Sequence, residues 1–163
     1  MESMIHEVLL ENWDYAMDTE DWWPPLATAL NGVDSTEAGW KPQGGNVNSI
    51  WETVNHLTFY KERLLRKLAG LPQLPDLENN EATFTVAAAG EEAWEQAVSK
   101  LKSVHASLRK VIVELGGAAF DQNGGDQSPG KKLMSLIQHD AYHTGQIILL
   151  RKLQNSWPSN RSF

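Results

Sequence analysis

The residues best placed to do chemistry in this chain are His139 and His143, in the stretch His139-Asp140-Ala141-Tyr142-His143-Thr144-Gly145-Gln146. Side chains four residues apart stack on one face of a helix, so the two imidazoles can share one metal ion. A metal-binding zinc-protease helix uses the same spacing. That reading fails here: position 149, where a third His would follow, is Leu149, and no His, Asp or Glu occurs from Thr144 to Phe163. Asp140 is also one methylene shorter than the glutamate that serves as base in that motif.

A third ligand must come from upstream, and His56 and His105 are the candidates. A lone histidine on an apolar face is more often a hydrogen-bonded core residue than a ligand. Two on one buried arc are harder to dismiss, because each ring nitrogen needs a partner and a metal serves both. Three imidazoles with open positions would make a catalytic rather than a structural centre. Periodicity alone does not choose between His56 and His105. His6 lies off the Ile5/Leu9/Trp13 stripe and is expected to be exposed.

The elements that must position these residues are helices. Ser3 can cap a first helix carrying Ile5, Leu9, Trp13 and Ala16/Met17. Pro24-Pro25 interrupts the chain, Leu26 to Leu30 reads as a short helical turn closed by Asn31-Gly32, and the segment through Gly45 reads as loop. Ser49-Ile50-Trp51-Glu52 is a capping box that opens a second helix running to about Leu68, with Ile50, Val54, Leu57, Leu64 and Leu68 on its apolar arc and His56 at the edge. Leu71 to Ala89 is a long connection broken by Pro72, Pro75 and Asn79-Asn80, with Thr83 to Val86 briefly extended. A third helix follows from about Glu91 to Leu115. On it Trp94, Val98, Leu101, His105, Leu108, Ile112 and Leu115 form the apolar stripe, and Gly116-Gly117 ends it. The fourth runs from about Lys131 to Leu153, with His139 and His143 on the arc of Leu133, Leu136, Ile147 and Leu150. Gly125 to Lys132 nearly spells a phosphate-binding loop, but Lys132 stands where a hydroxyl should hold magnesium and no strand precedes it, so a loop leading into a helix is expected.

Four amphipathic helices without strand signals predict an all-α four-helix bundle, one domain spanning residues 1–163. The chain has 163 residues, a net charge of −7 and no cysteine. The charge argues against gripping phosphate backbones, and the missing cysteine excludes disulfides, a Cys nucleophile and thiolate metal sites. No signal peptide or membrane-spanning run is recognised, so a cytoplasmic protein without membrane or nucleic-acid partners is expected.

Ser49-Ile50-Trp51-Glu52-x-x-Asn55-His56-Leu57, taken with His139-x-x-Tyr142-His143-x-Gly145-Gln146-Ile147, resembles the DinB-like family. The Trp40-Lys41-Pro42 turn, the helix order and the long second connection extend the likeness over most of the chain. The resemblance implies an up-down-down-up bundle, commonly dimeric, with a divalent metal held by His56, His139 and His143, which leaves His105 to the core. Family members include bacillithiol and mycothiol S-transferases and a thiol-dependent maleylpyruvate isomerase. It therefore implies a metal-dependent transferase whose metal activates a small-molecule thiol toward a small electrophile, with zinc, nickel or iron(II) all compatible with imidazole ligands. The alternatives are a metal-dependent hydrolase, for which Asp140 is the one nearby carboxylate base, and a stress-response bundle with a non-catalytic metal. Tyr60, Tyr142 and Gln146 are candidates to orient a ligand, although ordinary packing accounts for them equally well. Trp22, Trp23, Trp40 and Trp51 gather near the first long connection, as an apolar rim over the site or as a cover for the bundle's open end or a dimer seam.

Overall fold

A computed structural model describes residues 4–120 and 128–159, and the described residues contain helices and no strand. The elements are α1 (Met4–Met17), α2 (Leu26–Leu30), α3 (Ser35–Gly39), α4 (Ile50–Leu68), a 3-10 turn (Asn80–Phe84), α5 (Glu91–Phe120) and α6 (Pro129–Leu153). The long helices α1, α4, α5 and α6 form the bundle.

Their directions follow from side-chain pairings. His6 meets Ile112 while Asp14 meets Arg109, so α1 and α5 are antiparallel. Trp51 packs on Trp94 and Lys61 reaches His105, so α4 and α5 run parallel. His56 meets His143 and Lys61 meets Asp140, which makes α6 antiparallel to α4. The order is up-down-down-up. A parallel α4–α5 pair obliges the chain to return the full length of α4, about 28 Å at 1.5 Å per residue, before α5 can begin. That is why the second connection is long.

Local chemistry agrees with the elements. The Ser49/Glu52 capping box is formed, with Ser49 N donating to Glu52 Oε2 at 2.7 Å and Glu52 N donating to Ser49 Oγ at 3.2 Å. Gly116, at φ 65° and ψ 172°, breaks the helical path within α5 where the paired glycines predict a stop, and helical residues resume beyond it. Three expectations need correction. Ser35–Gly39 is helical rather than loop, because Asp34 Oδ1 accepts from Glu37 N at 2.9 Å and caps it. Thr83 lies in a 3-10 turn capped by Asn79, not in an extended run. His6 is fully buried, its Nε2 3.0 Å from the carbonyl of Ile112, and Ile5 is exposed instead. The inward face of α1 is therefore phased on His6, Leu9 and Trp13. Ser3 and residues 125–127 of the phosphate-loop-like stretch lie outside the described residues.

The core has two apolar parts. One gathers Ile50, Val54, Leu57, Trp94, Leu101, Ile147 and Leu150; the other gathers Leu9, Trp13, Leu64, Leu108, Ile112, Leu133 and Leu136. Between them along the helices runs a polar layer of Lys61, His105, Asp140, His143 and Thr144, all buried. Polar groups cost free energy in such a place unless they are paired, so the layer invites a chemical explanation. No helix among the described residues is long and apolar enough to cross a membrane.

Candidate metal centre

The second connection folds back over α4. Asn55 Nδ2 donates to Thr85 O at 2.8 Å and the Tyr60 hydroxyl donates to Asn80 Oδ1 at 2.8 Å, which pins the 3-10 turn against the helix. Phe84 then stacks flat on the His56 ring, with centroids 3.9 Å apart. Opposite, α6 presents His139 and His143 from adjacent turns. The three rings converge: His139 Nε2 lies 2.9 Å from His56 Nε2 and 3.1 Å from His143 Nε2.

The outer nitrogens determine what the inner ones can do. The Thr83 hydroxyl donates its one proton to Asn80 O at 2.6 Å, so at 2.5 Å from His56 Nδ1 it accepts. His143 Nδ1 donates to Gln146 Oε1 at 2.7 Å. In both rings the proton sits on Nδ1 and the Nε2 lone pair points inward. A proton on His139 Nε2 could satisfy one of those lone pairs but not both. A cation satisfies all three nitrogens together. Two ligands at about 2.0–2.1 Å from one ion lie about 2.9 Å apart at a right angle and about 3.3 Å apart at the tetrahedral angle, a range that holds both separations, 2.9 and 3.1 Å. The three residues offer nitrogens that all lie within 4.8 Å of one another and could hold a metal ion.

The electrostatics point the same way. Burial, followed by the neighbouring imidazoles of His143 and His139, lowers the His56 pKa to about 3. Burial is also the leading cause of the lowered values of His139 and His143, helped by Lys61 for the first and by His139 for the second. All three rings stay neutral at pH 7, the state a metal requires.

His105 takes no part. Its ring stacks on Trp13 at 4.1 Å and its Nδ1 lies 3.3 Å from Lys61 Nζ. Asp140 is also turned away: it is fully buried and forms an ion pair with Lys61, so it is not a base beside the triad. Burial pushes the Lys61 ammonium down and the Asp140 carboxyl up, and each partner opposes the other's shift. Gln146 is bonded to His143, Tyr60 meets His56 and His139 edge-on, and exposed Tyr142 lies edge-on to His143. The tryptophans do not rim the site. Trp51 is buried in the core, Trp40 packs on it, and Trp22 is 91% exposed.

Sequence reasoning missed Lys61, Thr83, Asn80 and Phe84. Lys61 carried a signal, since it falls between Leu57 and Leu64 on the apolar arc of α4. The others had none, because they reach the site only through the folding back of an irregular connection.

The three rings line one side of a cavity of about 830 Å³, bounded by α4, α6 and the 3-10 turn. Among comparisons with known proteins, the family model of the DinB superfamily matches residues 19–147. No curated protein matches the chain, and no solved structure does. With a family model covering most of its length and the bundle direction and histidine pair in place, the chain belongs to the DinB superfamily.

Proposed function

We propose that His56, His139 and His143 hold one divalent metal ion (zinc, nickel or iron(II)) and that the protein is a metal-dependent S-transferase, joining a small-molecule thiol to a small electrophile. The observation that carries the metal assignment is the pair of fixed tautomers aiming Nε2 lone pairs at one point beside a third Nε2. When bound, the metal supplies a Lewis acid that lowers the pKa of a thiol.

The chain's own residues prepare the rest. Thr83 and Gln146 hold two imidazoles in register. Phe84 covers the flat face of His56, shielding it from water. Tyr60, anchored through its hydroxyl to Asn80, closes one edge of the cavity. With no cysteine in the chain, the nucleophile arrives with the co-substrate, as in the bacillithiol-type transferases that the sequence resembles. The thiol gives its proton to solvent, the sulfur lone pair forms the new bond to carbon, and the electrophile's leaving group (chloride from a chloronitroarene) departs to water with the electrons of the bond that breaks. The hydrolase alternative loses its base, since Asp140 is committed to Lys61. This reading extends to a cytoplasmic homodimer with one such domain per chain, which light scattering would test.

The experiment has two parts. Metal analysis of the wild type, His56→Ala and His105→Ala should show metal lost only from His56→Ala; the opposite pattern overturns the ligand set. The metal-loaded protein should then conjugate bacillithiol to a chloronitroaromatic electrophile. Absence of turnover with any low-molecular-weight thiol would sink the transferase reading.

A further inference from the structure

The cavity beside the triad carries a charge opposite to that of the whole chain. Three basic side chains, Arg63, Lys67 and Lys132, line it against the one acid Glu81, although the protein has a net charge of −7. They are not scattered. Arg63 lies about two turns beyond His56 on α4, and Lys132 about two turns before His139 on the antiparallel α6. Both therefore stand about 10 Å along the trough from the imidazoles, on facing walls, with Lys67 a turn further out. Among the described residues Asp76 is the acid in ion-pair range of Arg63, at 3.8 Å and almost fully exposed, and the guanidinium lies over the Phe59 ring at 5.7 Å. The separation from Asp76 is longer than a hydrogen bond, so the pair leaves guanidinium donors for a ligand. The floor between the two ends is apolar, formed by Leu64 and Leu136.

The geometry points to an anion subsite: the small molecule whose reacting end lies at the three histidines carries a carboxylate about 10 Å away, bound between Arg63 and Lys132 with Lys67 behind. A planar guanidinium grips a carboxylate in two bonds, and converging cations in a half-enclosed trough attract anions more strongly than exposed ones do. The apolar floor suits a linker of about eight bonds, the length that spans 10 Å when extended. This inference rests on the thiol reading above for the identity of the reacting end, and deepens it by naming the substrate as an elongated anionic thiol.

The test is calorimetric titration of the zinc-loaded full chain with 8-mercaptooctanoate, its primary amide, octanoate, and the short pair 3-mercaptopropionate and 3-mercaptopropionamide. The long acid is expected to bind at least about tenfold more tightly than its amide, one charge-assisted contact's worth. The gap should shrink in about 0.5 M salt and be absent for the short pair, whose carboxylate cannot reach. In the combined Arg63→Ala, Lys67→Ala, Lys132→Ala variant, whose side chains lie outside the apolar core, the acid should bind like the amide while the amide keeps its wild-type affinity. Equal binding of long acid and amide, a gap that survives the triple substitution, or no binding by the series overturns the subsite. Octanoate separates the two ideas: if it binds as well as 8-mercaptooctanoate while the acid–amide gap persists, the thiol reading fails and the subsite stands.

Discussion

His56 Nδ1 donates to the Thr83 hydroxyl at 2.5 Å, joining a helix residue to an irregular connection folded across it. Because Thr83 spends its own proton on Asn80 O, this contact places the proton of His56 on Nδ1 and leaves the Nε2 lone pair facing inward. Thr83→Val keeps the shape and removes the acceptor. Zinc affinity, measured by competition with a chromophoric chelator, is expected to fall about 10–100-fold, and Thr83→Ser to restore it. Wild-type affinity in Thr83→Val would show that the hydroxyl does not orient the ring.

The Lys61–Asp140 pair predicts an asymmetric stability pattern. Both side chains are fully buried, so Asp140→Ala strands an ammonium in the core and should cost about 3–5 kcal/mol in urea unfolding. The double variant Lys61→Met, Asp140→Leu removes both charges and should recover most of that loss. Equal destabilisation by the single and double variants would contradict the pairing.

Stability of the metal-free protein should fall with acid. His56 and His105 have pKa values lowered to about 3 and about 2, chiefly by burial. Above about pH 6.5 neither the folded nor the unfolded chain holds these protons. Below it the unfolded chain binds them and the folded one does not, so unfolding gains up to about 1.4 kcal/mol per pH unit for each histidine. The loss runs from about pH 6.5 down toward pH 3. Denaturation midpoints at pH 7.5, 6, 5 and 4 should decline; a flat profile would mean that the rings protonate without opening the core.

Gly116 sits at φ 65° and ψ 172°, a conformation nearly confined to glycine, and a Cβ added there meets no atom within 4 Å. Gly116→Ala therefore tests backbone strain without a clash, and should destabilise by about 1–3 kcal/mol. The thermal midpoint reads this directly.

Much of the architecture was legible in the chain. The capping box at Ser49 and Glu52 marks the start of α4, and Gly70 and Pro72 set its end, because these signals act within a turn or two. The phase of α6 turns His143 inward with Leu136 and Ile147, since a helix carries its own period. Lys61 is legible in the same way, as a lysine on an apolar arc, a place that lysines seldom take. His6 is buried where the Ile5 stripe predicts exposure, because a one-position shift in phase exchanges the two residues and the α1 sequence tolerates either.

By itself, then, the sequence determined the four long helices, the inward faces of α4 and α6 and the four-residue pairing of His139 with His143. Helix phase could not say which of His56 and His105 joins them, since both ride inward faces; only resemblance to a family favoured His56. The tertiary structure separates the two: antiparallel α4 and α6 bring His56 within 2.9 Å of His139, while parallel α5 leaves His105 stacked on Trp13. It also decided that Thr83, Asn80 and Phe84 belong to the site. Those residues meet His56 through a connection without periodicity, and contacts across such sequence separation are set by how packed helices leave room for the returning chain.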